Sequence, residues 1–496
     1  MIDHHSKRAR IYIFLRNFKW KTNPGIVMMV VAIATLIIAN SPLKEWYQSF
    51  WNIEFLLGTN SFNLFSHHGT PLTLLSFIND CLMAVFFFSI GLEIKREVLI
   101  GELSSFRQSI LPMIAALGGM IVPVLCFFVT GRIQNLSPDE MRGMFIPMST
   151  DIAFSLAVVS LLGKKVPVSL KVFLLALAII DDIGGIIVIA LFYSDFNAES
   201  VIYLLYAAFF VIVLALGGKL RINGKLFYAF FGIIVWYLFL QSGIHPSIAG
   251  VVVAFTVPAH PRINIRTFIR QLRRDIDLLE SVSPKPTKEE IILSNTQIKY
   301  LSHIENAADQ VISPLQDFED NLYVLVNFII LPLFAFANAG VVINLSDFYL
   351  SGIALAIIIG LVLGKTLGIF SFTWLTIKSG LSRMPNGMNW HSLFGLSLVG
   401  GIGFTVALFL TALSYPVGSE ILNQAKLGII AGSLISGFLG YYYLKFSINR
   451  GEKNNYRLKK IHRLHKIMCL NICKMPFDKK IKYSREFAKY FIKHNL

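Results

Sequence analysis

Two adjacent carboxylates, Asp181 and Asp182, stand near the middle of an apolar run, VSLKVFLLALAIIDDIGGIIVIALFY, spanning residues 168–193. The run is long enough to cross a bilayer. A charge at the centre of such a helix costs roughly 2.5–3.5 kcal/mol on insertion scales. Acids at that depth are expected where ions or protons must meet them. Two close carboxylates in a low dielectric resist double ionisation, so a cation arriving there competes with a proton. That competition is the minimal chemistry of ion–proton exchange. The plainer reading is a buried, paired couple that fixes helix packing. Consecutive helical residues point about 100° apart, so the two acids must see different surroundings while bordering one cavity.

Other intramembrane polar residues fit the same chemistry. Asp151 lies in PMSTDIAFSLAVVSLLG behind Pro147, Ser149 and Thr150. The proline removes a backbone donor, and the hydroxyls can satisfy freed carbonyls or offer oxygens to a cation. An Asp capping the second half of a kinked helix is the alternative, and capping is compatible with ion binding. Lys365, in GIALAIIIGLVLGKTLGIFSF, needs an anionic partner, for which the intramembrane aspartates are the candidates. Their pairing is either structural or part of proton carriage. In SLVGGIGFTVALFL, Gly400, Gly401 and Gly403 weaken the helix in mid-span or allow close packing. Interrupted segments in matching positions of two halves point to a transporter site. The repeat units would be spans three to five and ten to twelve.

At the end of the second span, GLEIKRE places Glu93, Lys95, Arg96 and Glu97 together, either a solvated helix end or a regulatory cluster. Asp80 begins that span. His245, in QSGIHPSIAG, is a candidate pH sensor, although a lone loop histidine is more often inert.

These residues require an all-α polytopic membrane protein to position them. The 496-residue chain is 55% hydrophobic and 15% charged, against about 25% charged in a soluble domain. Cys81, Cys126, Cys469 and Cys473 give neither a disulfide framework nor a zinc spacing. No cofactor is expected. The +16 formal charge would suit nucleic acid, but the basic residues lie in the termini and alternate loops, which points to membrane orientation. Twelve spans are expected: 25–41, 75–94, 108–130, 144–162, 169–193, 200–217, 224–242, 246–257, 323–343, 351–377, 391–414 and 422–445, of which 246–257 is short for a crossing. The start MIDHHSKRAR precedes a run without a cleavage site, so no signal peptide is expected.

Lysine and arginine cluster before span one and after spans two, four, six and ten, placing both termini in the cytoplasm. The expected organisation is a basic N-terminus at 1–24, spans one to eight within 25–257, a cytoplasmic connection at 258–320, spans nine to twelve within 321–445, and a basic tail at 446–496. The connection holds helix-like pieces, RTFIRQLRRDIDLLE and NTQIKYLSHIENAADQV. In the tail, Leu458, Ile461, Leu464 and Met468 recur at helical spacing among basic residues. That suits an amphipathic helix on anionic lipid, or a solvated tail, and Pro476 interrupts any continuous helix.

FINDCLMAVFFFSIGLEIKREVLIGELSSFRQ, STDIAF, FLLALAIIDDIGGIIVIALFY, SGIHPSIAGV, ILPLFAFANAGV, GKTLGI and GGIGFT together resemble the NhaA family of sodium/proton antiporters. The resemblance runs from about 22 to 445, without most of 258–315. It implies an inverted-repeat antiporter fold with spans four and eleven unwound and crossing. It also implies a bacterial inner-membrane protein that exchanges cytoplasmic Na+ or Li+ for external H+, electrogenically and under pH control, by alternating access. Asp182 would be the central cation ligand, with Thr150 contributing. Asp181 would be the proton-linked residue paired with Lys365, and Asp151 would help bind or balance the cation. Glu93, Arg96, Glu97 and Glu319 match a cytoplasmic cluster implicated in pH activation. A homodimer is plausible, with loop 42–74 holding an external hairpin. Phe318-Glu319-Asp320 departs from the LEH usual around that glutamate, and Ser149 stands where alanine is common. Two rival readings remain: an intramembrane aspartyl protease using Asp151 and Asp182, which lacks a GxGD-type motif, and a sensor built on a transporter fold.

Overall fold

In the computed structural model, residues 23–194, 200–282, 293–342 and 352–473 are described, apart from 55–57, 60, 61, 64, 65, 68, 69, 221 and 223, and without the side chains of 58, 59, 62, 63, 66, 67, 70, 164 and 451–473. Residues 1–22 of the expected basic N-terminus at 1–24, and the expected tail beyond 473, lie outside the described residues. Among the described residues the helices are joined by loops, and the named strands are two antiparallel pairings of two-residue strands between 58 and 71. An all-α expectation therefore misses small ladders inside the 42–74 loop.

The helices, in order, are α1 (Pro24–Ala39), α2 (Lys44–Trp51), α3 (Leu74–Ile100), α4 (Phe106–Ile133), α5 (Pro138–Met148), α6 (Ile152–Leu161), α7 (Val168–Phe192), α8 (Ser200–Lys219), α9 (Lys225–Ser242) and α10 (Ser247–Thr256). Then follow α11 (Ile265–Val282), α12 (Asn295–Val311), α13 (Pro314–Asn338), α14 (Ile353–Lys378), α15 (Trp390–Val399), α16 (Phe404–Ser414) and α17 (Glu420–Cys473). Among the described residues, eight helices are long and apolar enough to cross a membrane. Up to eleven spans result if the bent pairs α1–α2, α5–α6 and α15–α16 each count as one. The short segment expected at 246–257 is the ten-residue helix α10. Helix α13 begins at Pro314, capped by Ser313, well before the expected span start at 323. Helices α11 and α12 form the two helical pieces of the connection and pack on each other. Helix α17 runs unbroken from the last apolar segment into the basic tail, as far as Cys473.

Between membrane helices, burying apolar area brings little gain, because lipid is as apolar as leucine; close backbone packing does more. The most extensive helix contact is α4 against α14. There Gly118 and Gly368 face each other, and a Cβ on either would overlap the other's backbone. Ala115 and Ala116 of α4 are fully buried, while Ile121, Leu125 and Val129 face outward. Helix α8 carries a similar outward stripe of Leu205, Phe209, Ile212 and Leu216. The small residues line the inside, and the large apolar ones meet lipid.

This inside-out pattern is checked by thermal unfolding of the purified protein in detergent. Gly118→Val should destabilise it by about 1–3 kcal/mol through overpacking. Leu125→Ala, on the outer face, should change stability by less than about 0.5 kcal/mol. Equal effects would refute the packing assignment.

Candidate functional site

The site is built on two broken helices. Between α5 and α6 the backbone is extended at Ser149 and Asp151, just after Pro147, and the halves meet at 48°. Between α15 and α16, Gly400–Gly403 open the helix, and the halves meet at 42°. Breaking a helix frees backbone N–H and C=O groups, and hydrocarbon offers them no water. The two breaks supply each other. The Asp151 amide donates to the Ile402 carbonyl at 2.6 Å, and the Ser155 hydroxyl donates to the Val399 carbonyl at 3.2 Å. The Thr150 hydroxyl lies 2.9 Å from the Gly400 carbonyl, and the Ser149 hydroxyl 3.5 Å from that of Gly403. The glycines also serve close packing, since a Cβ on Gly401 would overlap the Leu361 backbone of α14.

Asp151 caps both second halves. Its Oδ1 accepts from the Phe154 amide in the first turn of α6 at 3.0 Å. Its Oδ2 accepts from the Thr405 amide at 3.0 Å and the Thr405 hydroxyl at 2.6 Å, in the first turn of α16. One carboxylate thus faces the positive ends of two half-helices. Capping was expected for the nearer half alone; the second cap and its hydroxyl donor, Thr405, were not. Thr405 stands two residues past Gly403, in the first turn of the resumed helix, a position that by itself marks no capping role.

The paired aspartates take separate surroundings, as helical geometry requires. Asp181, Asp182 and Lys365 are 1%, 4% and 0% exposed. Lys365 Nζ donates to Asp181 Oδ2 at 2.5 Å, and the Thr150 hydroxyl reaches the same oxygen at 2.6 Å. Asp181 Oδ1 has no hydrogen-bond partner among the described residues. Asp182 lines a cavity of about 400 Å³ together with Thr150, Asp151 and Thr405. No hydrogen bond or ion pair from a described residue reaches its carboxylate. Among the described residues no three His, Cys, Asp or Glu side chains are placed to hold a metal ion. A cation beside Asp182 would therefore draw further oxygens from Thr150, from backbone carbonyls and from water.

The same cavity is lined by Glu93, Arg96, Glu319, Tyr323 and Asn327. Arg96 is shared between Glu97, at 3.1 Å, and Glu319. Glu97 also accepts from the Glu102 amide at 3.0 Å. Lys95 turns away from this group and caps the C-terminal end of α10, donating to the Phe255 carbonyl at 2.6 Å and to that of Val257. Four of the candidate pH residues, Glu93, Arg96, Glu97 and Glu319, are thus brought together. His245 is not among them. It is buried, with Nδ1 2.8 Å from the Ser247 hydroxyl and Nε2 3.6 Å from Asp80. Asp80 lies thirteen residues before Glu93 on α3, about 20 Å along the axis at 1.5 Å per residue. Tyr323 and Asn327, one turn apart on α13, carried no signal before the fold placed them on the cavity.

The profile of the family described as Na+/H+ antiporter 1 matches residues 16–444. A Na(+)/H(+) antiporter NhaA of Phocaeicola vulgatus is 51% identical over 439 residues, covering 88% of this chain and 96% of the relative. A protein of the same name from Bacteroides fragilis is 51% identical over 421 residues, 85% of this chain and 94% of its own length. Another, from Sulfurimonas denitrificans, is 38% identical over 431 residues, 86% of this chain and 93% of its own. With crossed broken helices, a lysine-paired aspartate and a second aspartate on an internal cavity, and with a family match over most of its length, the chain belongs to the Na+/H+ antiporter family of multi-pass membrane transporters.

Proposed function

We propose that this protein exchanges cytoplasmic Na+ or Li+ for external H+ by alternating access, with cation and protons competing for Asp182 and Asp181. The observation that carries the reading is the division between the two acids. Asp182 faces a cavity of about 400 Å³ and has no hydrogen-bond or ion-pair partner among the described residues, while Asp181 is held by Lys365 and Thr150. In this reading a cation occupies the cavity beside Asp182 and Thr150. Protons reload the acids once the site faces outward. Unequal charge exchange then responds to the membrane potential, at about 2.3 kcal/mol per charge per 100 mV. Asp151 is already engaged by three donors, which suits a fixed counter-charge to the half-helix ends and leaves Asp182 without a second free acid for the aspartyl protease alternative.

The membrane arrangement proposed with this function has twelve crossings, counting α10 and each bent pair. Helices α4, α5–α6 and α7 repeat in kind as α14, α15–α16 and α17, which supports an inverted repeat. The lysine and arginine distribution supports cytoplasmic termini in a bacterial inner membrane. The strand pairings at 58–71 support a homodimer joined through external edges, since unpaired strand edges invite pairing with a second chain. Because Glu93, Arg96, Glu97 and Glu319 line or border the cation cavity, we assign them the pH response.

Three outcomes are expected. In vesicles carrying an imposed proton gradient and a pH dye, wild type responds to added sodium or lithium between about pH 6.5 and about 9, above the ordinary carboxylate range at about 4. Asp182→Asn abolishes that response; retention of full exchange would remove Asp182 from the site. Removing the partner of a buried charge costs about 3–5 kcal/mol. Lys365→Gln should lower thermal stability on that scale, and Lys365→Gln with Asp181→Asn should recover most of it. A strictly additive double variant would show that the pair is not coupled. Arg96→Gln leaves Glu97 and Glu319 unbalanced at the cavity, where added negative charge holds protons more tightly. Half-maximal exchange should therefore move to higher pH, by about one unit. A move to lower pH, or none, would contradict the assignment.

A further inference from the structure

A second cavity, of about 880 Å³, opens where the first turns of α4 and α7 meet the loop at 379–389. It is separate from the cation site and shares no lining residue with it. Arg107 and Arg383 line it, and neither makes an ion pair or hydrogen bond with a described residue. Glu102 is the one acid on its wall, so two positive charges stand against one negative. Leu111, Val172 and Phe173 form its apolar side. At and beside the rim, Phe106, Val168 and Leu381 are 73%, 75% and 60% exposed. The loop wall is fixed, because the Ser169 hydroxyl donates to the Asn386 carbonyl at 2.7 Å.

Depth and chemistry together select the occupant. Helices α4 and α7 are both long enough to cross the membrane, so their first turns lie at headgroup depth. Guanidinium groups there match phosphate oxygens bidentately. Neither helix start has a side-chain cap, at Ser105 or at Pro167, so the amides of both first turns add positive potential. Large apolar side chains at the rim suit acyl chains rather than water. We propose that this cavity holds an anionic phospholipid, its phosphate on Arg107 and Arg383 and its chains along Leu111, Val172 and Phe173. A free phosphate would share the arginines but would leave the apolar wall and rim uncovered.

The test is native mass spectrometry of the full chain in detergent, titrated separately with phosphatidylglycerol, phosphatidylcholine and inorganic phosphate. Phosphatidylglycerol should bind more tightly than phosphatidylcholine. Arg107→Gln with Arg383→Gln should weaken phosphatidylglycerol about thirtyfold, the combined effect of two basic groups at a lipid surface. Arg274→Gln, on exposed α11, should leave it unchanged. Val172→Trp fills the apolar side without touching a charge and should also release the lipid, which keeps the test decisive if the arginine pair fails to fold. Unchanged phosphatidylglycerol binding in the arginine pair or in Val172→Trp would overturn the proposal. So would equal retention of phosphatidylcholine, or displacement of the lipid by inorganic phosphate, which would assign a free-anion site.

Discussion

A helix that stops inside hydrocarbon leaves amides and carbonyls that neither water nor lipid can satisfy, at several kcal/mol for each unpaired group. In this protein two helices stop at the same depth, and the debt of each is met by the other. The Asp151 amide serves the Ile402 carbonyl, Ser155 serves Val399, and the Asp151 carboxylate receives the first turns of both resumed helices. The rest of the site follows from this crossing. It sets Thr150 against Asp181, leaves the cavity beside Asp182 open, and requires α4, α7 and α14 to enclose polar groups that lipid would reject.

Much of this was legible from residue types. Acids and a lysine within apolar runs mark a buried polar site by cost alone, and the structure does bring Asp181, Lys365 and Thr150 together. Pro147 and the Gly400–Gly403 run marked the breaks, because each withholds a helical hydrogen bond or lowers helix propensity. The register of Asp181 and Asp182 followed from helical geometry. Local signals stopped short where a role depended on a distant partner. Thr405 reads as an ordinary helical residue until Asp151, 254 positions away, becomes its acceptor. Lys95 and Arg96 read as one charged patch, yet Lys95 closes α10 while Arg96 joins the cavity. His245 and Glu93 are both titratable candidates in the sequence, but His245 sits beside Asp80, thirteen residues before Glu93 on α3. The start of α13 at Pro314 was hidden because its first turns are polar, as befits a helix that extends beyond the apolar layer.

The lysine pair and the free carboxylate answer different physical demands. An ammonium buried without a counter-charge is prohibitively costly, and Asp181 with Thr150 relieves that cost at one oxygen. Giving Asp182 the same relief would fill the place that the proposed cation must occupy. Two acids one residue apart, turned about 100° from each other, separate these demands without a second binding helix. A single aspartate would have to abandon its lysine each time a cation arrived.

Thr150 is where this division can act on the backbone. Its hydroxyl carries one hydrogen and lies within reach of two acceptors, Asp181 Oδ2 on α7 and the Gly400 carbonyl at the second break. It cannot serve both at full strength. An Asp181 paired with Lys365 and ionised is the stronger acceptor, and the carbonyl then takes the weaker share. When Asp181 is protonated the order reverses, and the Gly400 carbonyl gains the hydroxyl. The protonation state of one carboxylate therefore bears directly on how firmly the first broken segment is tied to the second. Alternating access, as proposed, needs a chemical event at the acids to change the fit between two rigid parts. In the proposed exchange that link would be the Thr150 hydroxyl, which lies between Asp181 and the Gly400 carbonyl where the broken helices cross.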